Sequence, residues 1–319
     1  MTSPAPHSSA QPVPGGLYDA RWTQLMIFIL KRMPARVCVF LTPPIAFVFY
    51  LFARTQGRGV RANLRALFPA WSALRCWLGG FQVFRQFALT YLDRLLYRHQ
   101  SREVTWDVRG MEYFEQLKNE PGGVLVFTVH SGNYDIGSSL LAEKLGRCLH
   151  TVRAPERSHS LDKLRTAELL AASDRQPLLR FHYNTPGRHL GIDLYRMLLD
   201  GEIVAVQCDR VVMDVSPFIA THDGVSYTIP LGPLILAEMA SLPCYPILLS
   251  RFGVCCYRID ILKPFHAGGT KIRRERLAEL WLPIMADFLH RNWDQWFVFE
   301  QVLERAGCDA AAGGSEPSV

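Results

Sequence analysis

Residues 124–135, VLVFTVHSGNYD, decide how this chain is read, because an apolar run leads straight into a histidine and a carboxylate follows at a short fixed distance. Val124 to Val129 are mostly β-branched or aromatic, which predicts a strand. Ser131-Gly132-Asn133 is turn chemistry, and Ile136 to Leu145 predicts a helix closed by Gly146. A strand, a tight turn and a helix bring His130 and Asp135 to one end of a sheet. In open α/β sheets that end gathers loops and helix N-termini, and ligands bind there.

A histidine with one ring nitrogen held by a carboxylate has a fixed tautomer and is a stronger base. It can take the proton of an acceptor hydroxyl as that oxygen attacks an activated carbonyl, which is acyl transfer without a covalent enzyme intermediate. His130, with Asp135 as its partner, is the candidate catalytic pair. Gly132 and Asn133 are candidates to supply N–H donors to the oxyanion that forms on the carbonyl. A plainer reading stays open for each: His130 ends a strand, Asp135 caps a helix, and Gly132-Asn133 shapes a turn.

Beyond this stretch, residues 149–153 and 178–182 predict strands and residues 161–172 and 187–199 predict helices, which is α/β alternation. Arg153 follows one of these strands and is a candidate to grip a charged head group. Ile203 to Cys208 predicts a strand ending in Asp209-Arg210, the same strand-then-polar arrangement as at His130. Pro230 to Ser241 carries Gly232-Pro233 near its start and predicts a helix with an apolar face, and the loop THDGVSYTI before it is the expected rim of an acyl pocket. His159, His182 and His189 have no matched partner in sequence and read as ordinary histidines. Trp281, Trp293 and Trp296 suit either a lipid interface or a core.

The chain has 319 residues, 49% of them hydrophobic, enough to bury a full core in one domain. Residues 1–16 and 306–319 lack apolar periodicity and read as disordered tails. Between them, 17–70 is expected to be a membrane-anchoring helical region and 71–305 the catalytic domain. Within the anchor, residues 37–53, VCVFLTPPIAFVFYLFA, carry no charge and sit at the short edge of what spans a bilayer. Pro43-Pro44 is expected to break or kink a helix there. Arginines and a lysine flank the segment on both sides, which leaves open whether it crosses the membrane or lies in its interface. A pair of buried core helices is the alternative.

Eight cysteines form no CxxC pair and no zinc-like Cys/His spacing, and several, among them Cys208, Cys244 and Cys255, lie in apolar runs. They read as buried reduced thiols, and no metal or cofactor is implied. The net charge of +6 suits an anionic membrane surface and an acidic carrier, and nothing resembles a nucleic-acid module. Lys271, Arg273, Arg274 and Arg276 read as a solvated helix face or a docking site for such a carrier.

Histidine, four residues and an aspartate after an apolar strand, with Gly132-Asn133 inside, resembles the signature box of membrane-bound glycerolipid and lipid A acyltransferases. The order of the surrounding parts is similar to the bacterial late acyltransferases of lipid A biosynthesis: VRANLRALFP at 60–69, the approach VRGMEYFEQLKNEPGGVLVFTVHSGNYD, LYRMLLDGEIVAVQCDR, YTIPLGPLILAEMASLPCYPILLSR and NWDQWFVFE. These enzymes often carry Glu at the position of Asp135 and Trp at that of Tyr134. Asp keeps the charge on a shorter arm, and the change leaves the acceptor open.

The resemblance implies a glycerolipid-acyltransferase-like α/β fold with a mixed central sheet flanked by helices behind a membrane-associated N-terminal segment. It implies an enzyme of lipopolysaccharide synthesis on the cytoplasmic face of an inner membrane, taking a fatty acyl chain from acyl carrier protein or coenzyme A to a hydroxyl of a lipid acceptor. By the same resemblance Asp209 orients the acceptor and Arg210 contacts phosphate or carboxylate. A thioesterase or lipid hydrolase using the same pair, and a non-catalytic membrane-bound partner, remain as alternatives.

Overall fold

The apolar run before His130 forms β2 (Val124–Thr128), and it has hydrogen-bonded neighbours on both sides and helices over both faces, which is why it carries no polar face. The structure is a computed structural model that describes residues 27–28, 32–153, 176–184, 189–212 and 215–305. The expected helix at 161–172, His159 and the two expected tails lie outside the described residues.

The main sheet is mixed and has eight strands. In chain order they are β1 (Thr105–Arg109), β2, β3 (Leu149–Arg153), β4 (Leu179–Tyr183), β5 (Ile203–Gln207), β8 (Pro243–Gly253), β9 (Cys256–Ile261) and β10 (His266–Ala267). They lie side by side as β1-β9-β8-β2-β5-β3-β4, with β10 also on β8. The strands β8, β2, β5, β3 and β4 run parallel, while β9 and β10 pair antiparallel with β8. A smaller antiparallel sheet holds β6 (Pro217–His222), β7 (Val225–Pro230) and β11 (Leu303–Arg305).

The alternation of side chains along β2 feeds two cores. Leu125 and Phe127 join a cluster with Trp281, Leu282 and Phe288 of α8 (Arg274–Asn292), Leu194 and Leu198 of α6 (Leu190–Leu199) and Leu234 of α7 (Leu231–Ala240). Val124 and Val126 face the other way, onto Phe114 and Leu117 of α4 (Met111–Lys118) and Leu141 and Leu145 of α5 (Tyr134–Leu145). Gly146 closes α5 in the left-handed conformation, as its sequence position suggests.

Among the described residues, the helices α1 (Ala35–Phe52), α2 (Arg54–Leu67) and α3 (Ala73–His99) precede the sheet. The break expected at Pro43-Pro44 does not occur, since α1 runs as one helix through both prolines. The prolines remove the N–H donors that would meet the Val39 and Phe40 carbonyls, and one residue earlier Thr42 Oγ1 donates to the Cys38 carbonyl at 2.8 Å. Cys38, Ala46 and Tyr50 are buried, with Cys38 packed on Leu92, Leu95 and Leu96 of α3. Phe40, Ile45, Val48, Leu51 and Phe52 are exposed. It is the one described helix long and apolar enough to cross a membrane.

Packing corrects one further expectation and decides between others. The stretch expected as a loop at 221–229 is a β-hairpin, with Asp223 (φ 50°) and Gly224 (φ 73°) as the two left-handed turn residues between β6 and β7. Trp281 and Trp296 are buried, and Trp293 packs edge-on against Trp71 at 5.0 Å, so all three serve the core. Arg273 and Arg276 make exposed pairs with Glu275 and Glu279, as a solvated helix face does. The seven cysteines among the described residues are all free thiols, five of them buried.

Asn63 of α2 is buried and ties the N-terminal helices to the C-terminal strand: its Oδ1 accepts the N–H groups of Val302 (3.0 Å) and Leu303 (3.1 Å), and its Nδ2 donates to the Glu300 carbonyl (2.8 Å). Asn63→Ala orphans these groups, and urea unfolding is expected to show a loss of about 2 kcal/mol or more. A loss within experimental error would refute this clasp.

Candidate active site

Strand register, rather than the local motif, decides the partner of His130. β2 and β5 are parallel neighbours whose last residues, Thr128 and Gln207, are paired. His130 and Asp209 each lie two residues past that pair, so they leave the sheet side by side. The Asp209 carboxylate is fully enclosed and accepts three hydrogen bonds. Oδ1 faces His130 Nδ1 at 2.6 Å, and Oδ2 receives the His130 backbone N–H at 2.7 Å and the Trp296 indole N–H at 2.8 Å.

The partner expected for His130 was Asp135, and here the structure differs. Asp135 lies buried in the first turn of α5, where its oxygens face two guanidinium groups, Arg94 Nη1 of α3 at 2.7 Å and Arg153 Nη2 at the end of β3. A buried carboxylate is stable only when such donors surround it, and these two arginines claim both of its oxygens. Arg153 also lies over the rings of Phe181 (5.0 Å) and Tyr134 (5.7 Å), and the Tyr134 ring stands edge-on to His130 at 6.1 Å.

Arg210 points back at the histidine: its Nε–H donates to His130 Nε2 at 3.2 Å, and Nη1 lies 3.4 Å from Glu300. Arginine is only a donor, so Nε2 is the acceptor nitrogen and Nδ1 carries the proton toward Asp209. Burial pushes the Asp209 carboxyl up, but the attraction of the His130 ring once it is protonated and the hydrogen bonds from His130 and Trp296 outweigh this. The group is held below its ordinary value.

Gly132 takes φ 56°, and a Cβ there would lie 2.9 Å from Leu249 of β8, so only glycine fits this turn. The Asn133 side chain is buried, with Nδ2 directed at the Thr90 carbonyl at 3.4 Å rather than toward His130. Any donor role of this turn therefore falls to its backbone N–H groups.

Of the residues singled out from sequence, His130, Asp209 and Arg210 meet directly, Asp135 and Arg153 meet each other, and Tyr134 lies between the two groups. Arg94 and Trp296 were missed as site residues. Arg94 had a legible signal, the charged pair Asp93-Arg94 inside the apolar helical run LTYLDRLL. Asp93 turns the other way, to Arg251 Nε (2.7 Å) and the Tyr257 hydroxyl (2.9 Å). Two buried N–H donors at the site, Arg94 Nε and Arg153 Nε, have no partner among the described residues.

A histidine with one nitrogen on a buried carboxylate and the other facing a partly exposed arginine, at the C-terminal ends of central parallel strands, can exchange a proton with a bound substrate. The α/β fold with a polar cluster at the ends of its central strands is the arrangement in which open α/β sheets hold ligands. Residues 18–225, well over half of the chain, match the bacterial lipid A biosynthesis acyltransferase family, and the chain belongs to that family. The protein is an acyltransferase. Comparison with curated proteins found no match.

Because Asp209 is held below its ordinary value, it contributes stability that is present above the unfolded carboxyl's pKa, about 3.9, and is lost as pH falls through the lower folded value. Unfolding followed from pH 7 down to pH 3 should therefore show a steeper acid decline for the wild type than for Asp209→Asn. Parallel declines would contradict the assignment of a charged, buried Asp209.

Proposed function

We propose that this acyltransferase moves a fatty acyl chain from an acyl thioester, on acyl carrier protein or coenzyme A, to a hydroxyl of a lipid or glycolipid acceptor. The observation that carries the reading is the 2.6 Å contact of His130 Nδ1 with Asp209 in a member of this family. His130 is the general base, and Asp209 holds its tautomer and stabilises the imidazolium that forms. The acceptor hydroxyl takes the place of Arg210 Nε at His130 Nε2, gives up its proton there and attacks the thioester carbonyl. The oxyanion is stabilised by backbone N–H groups of the Gly132–Tyr134 turn at the N-terminus of α5. The tetrahedral intermediate then collapses and expels the thiolate, which recovers the proton from His130.

Asp135 has a different task in this scheme: it fixes Arg94 and Arg153 with net positive charge to spare, and their unpartnered Nε–H groups suit phosphate or carboxylate oxygens of an anionic acceptor. The exposed apolar side chains of α1 support attachment to a lipid surface, which in this reading is the cytoplasmic face of an inner membrane.

Mass spectrometry of lipids formed by the purified chain, given acyl carrier protein or coenzyme A loaded with fatty acid and a total lipid extract, tests the reaction. A new acylated lipid is expected with the wild type, at a rate roughly 10²–10⁴ lower with His130→Ala and with Asp209→Asn. Full activity of a folded His130→Ala would sink the mechanism, and free fatty acid as the sole product would mean a hydrolase.

The membrane reading is tested by flotation with anionic vesicles. The wild type should float with the lipid, and the double variant Phe40→Glu, Ile45→Glu should shift toward the soluble fraction while keeping its circular dichroism. Equal flotation of the two would argue that α1 is not the anchor.

A further inference from the structure

The parallel strands bring together a second polar cluster, at the N-terminal ends of β3 and β5, whereas His130 follows the C-terminal end of β2. Leu149 of β3 and Ile203 of β5 are register partners, so Cys148 and Glu202, each one residue before that pair, enter the sheet side by side. The Ile203 N–H donates to the Cys148 carbonyl at 3.1 Å, which fixes this alignment. His150 lies two residues beyond Cys148 and so points to the same face. Arg153, at the other end of β3, is five residues from Cys148, or roughly 16 Å at about 3.3 Å per residue.

The ligand-capable atoms of Cys148, His150 and Glu202 all lie within 4.8 Å of one another. His150 is 5% exposed, and its Nε2 touches the Glu202 carboxylate yet makes no hydrogen bond among the described residues. Its other nitrogen, Nδ1, lies 2.8 Å from Nε2 of His182 on β4, with the two rings stacked at 5.0 Å. Metal-bound histidines commonly have this arrangement, one nitrogen aimed at the ion and the other held by a neighbour that sets the tautomer. Cys148 and Glu202 are only half-buried, so one side of the cluster is open to water.

We propose that Cys148, His150 and Glu202 form a binding site for a divalent transition-metal ion, zinc by its donor chemistry, with His182 orienting His150 and a water molecule completing the coordination. One thiolate, one imidazole and one carboxylate match the mixed sulfur, nitrogen and oxygen preference of zinc and are poor ligands for calcium or magnesium. On binding, the Cys148 thiol proton is released to solvent as the Sγ–metal bond forms. The ion joins the starts of β3 and β5, with His182 on β4 behind it, so its role is to clamp strand ends far from the acyl-transfer site. Residues 148, 150 and 202 make no linear motif, which is why the spacing of cysteines in the sequence implied no metal.

The full chain, stripped with a chelator, reloaded with zinc and freed of excess, is expected to retain about one equivalent by elemental analysis and to melt at a higher temperature than the stripped form. Cobalt(II) in place of zinc should give a thiolate-to-cobalt charge-transfer band that Cys148→Ser abolishes. His150→Gln should lose the ion, and His182→Ala should weaken binding roughly tenfold to a hundredfold. His130→Ala is expected to bind the metal as the wild type does, so the result stands apart from the acyl-transfer reading. Failure of the wild type to retain zinc, or unchanged binding by both Cys148→Ser and His150→Gln, would overturn the proposal and leave a His150–Glu202 ion pair.

Discussion

A buried carboxylate that must find donors organises this protein around Asp209. Enclosed among apolar residues, its charge is tolerable only because the His130 backbone N–H, the His130 ring and the Trp296 indole supply hydrogen bonds. Those donors come from the end of β2 and from the segment after α8, so satisfying one side chain fastens the C-terminal part of the chain onto the central strands. The Phe297 N–H donates to the His130 carbonyl at 2.8 Å, which continues the same seam on the backbone. The histidine is held on both sides, with Asp209 at Nδ1 and Arg210 at Nε2.

The same constraint recurs through α3, where Asp93 and Arg94 are both buried and point to different partners. Arg94 and Arg153 meet at Asp135, while Asp93 takes up Arg251 and Tyr257. Each pair is costly to desolvate and strongly destabilising to break singly, so the helix has little freedom to shift. A long helix of the N-terminal region is in this way locked to the sheet by charge as well as by apolar contact. The apolar residues that α1 leaves exposed, among them Phe40, Ile45 and Phe52, cover no core of their own.

The order of secondary elements was legible because local chemistry and burial agree. β3 was expected at 149–153 and is found there, where a short run with Thr151 and Val152 follows the Gly146 helix end and precedes Ala154-Pro155. The helix after the histidine begins two residues earlier than its apolar pattern suggested, at Tyr134, because Asp135 is buried by arginines that no local pattern announces. The Asp223-Gly224 hairpin was readable in principle, since that dipeptide suits a two-residue turn with positive φ, but its apolar flanks also suit a loop. Pro43-Pro44 pointed to a helix end that does not occur, since α1 continues from Ala35 to Phe52.

By itself the sequence determined the alternating α/β class, the apolar strand that ends at His130, the glycine turn after it and the family to which these blocks are similar. Those features depend on local backbone preference and on the order of residues, which a linear reading contains. Tertiary structure alone decided which carboxylate holds the histidine. Asp135 is five residues away and Asp209 is seventy-nine, yet parallel pairing of β2 with β5 puts Asp209 beside Nδ1 and turns Asp135 toward Arg94 and Arg153. Strand register sets which side chains become neighbours across a sheet, and nothing in the spacing along one strand encodes it.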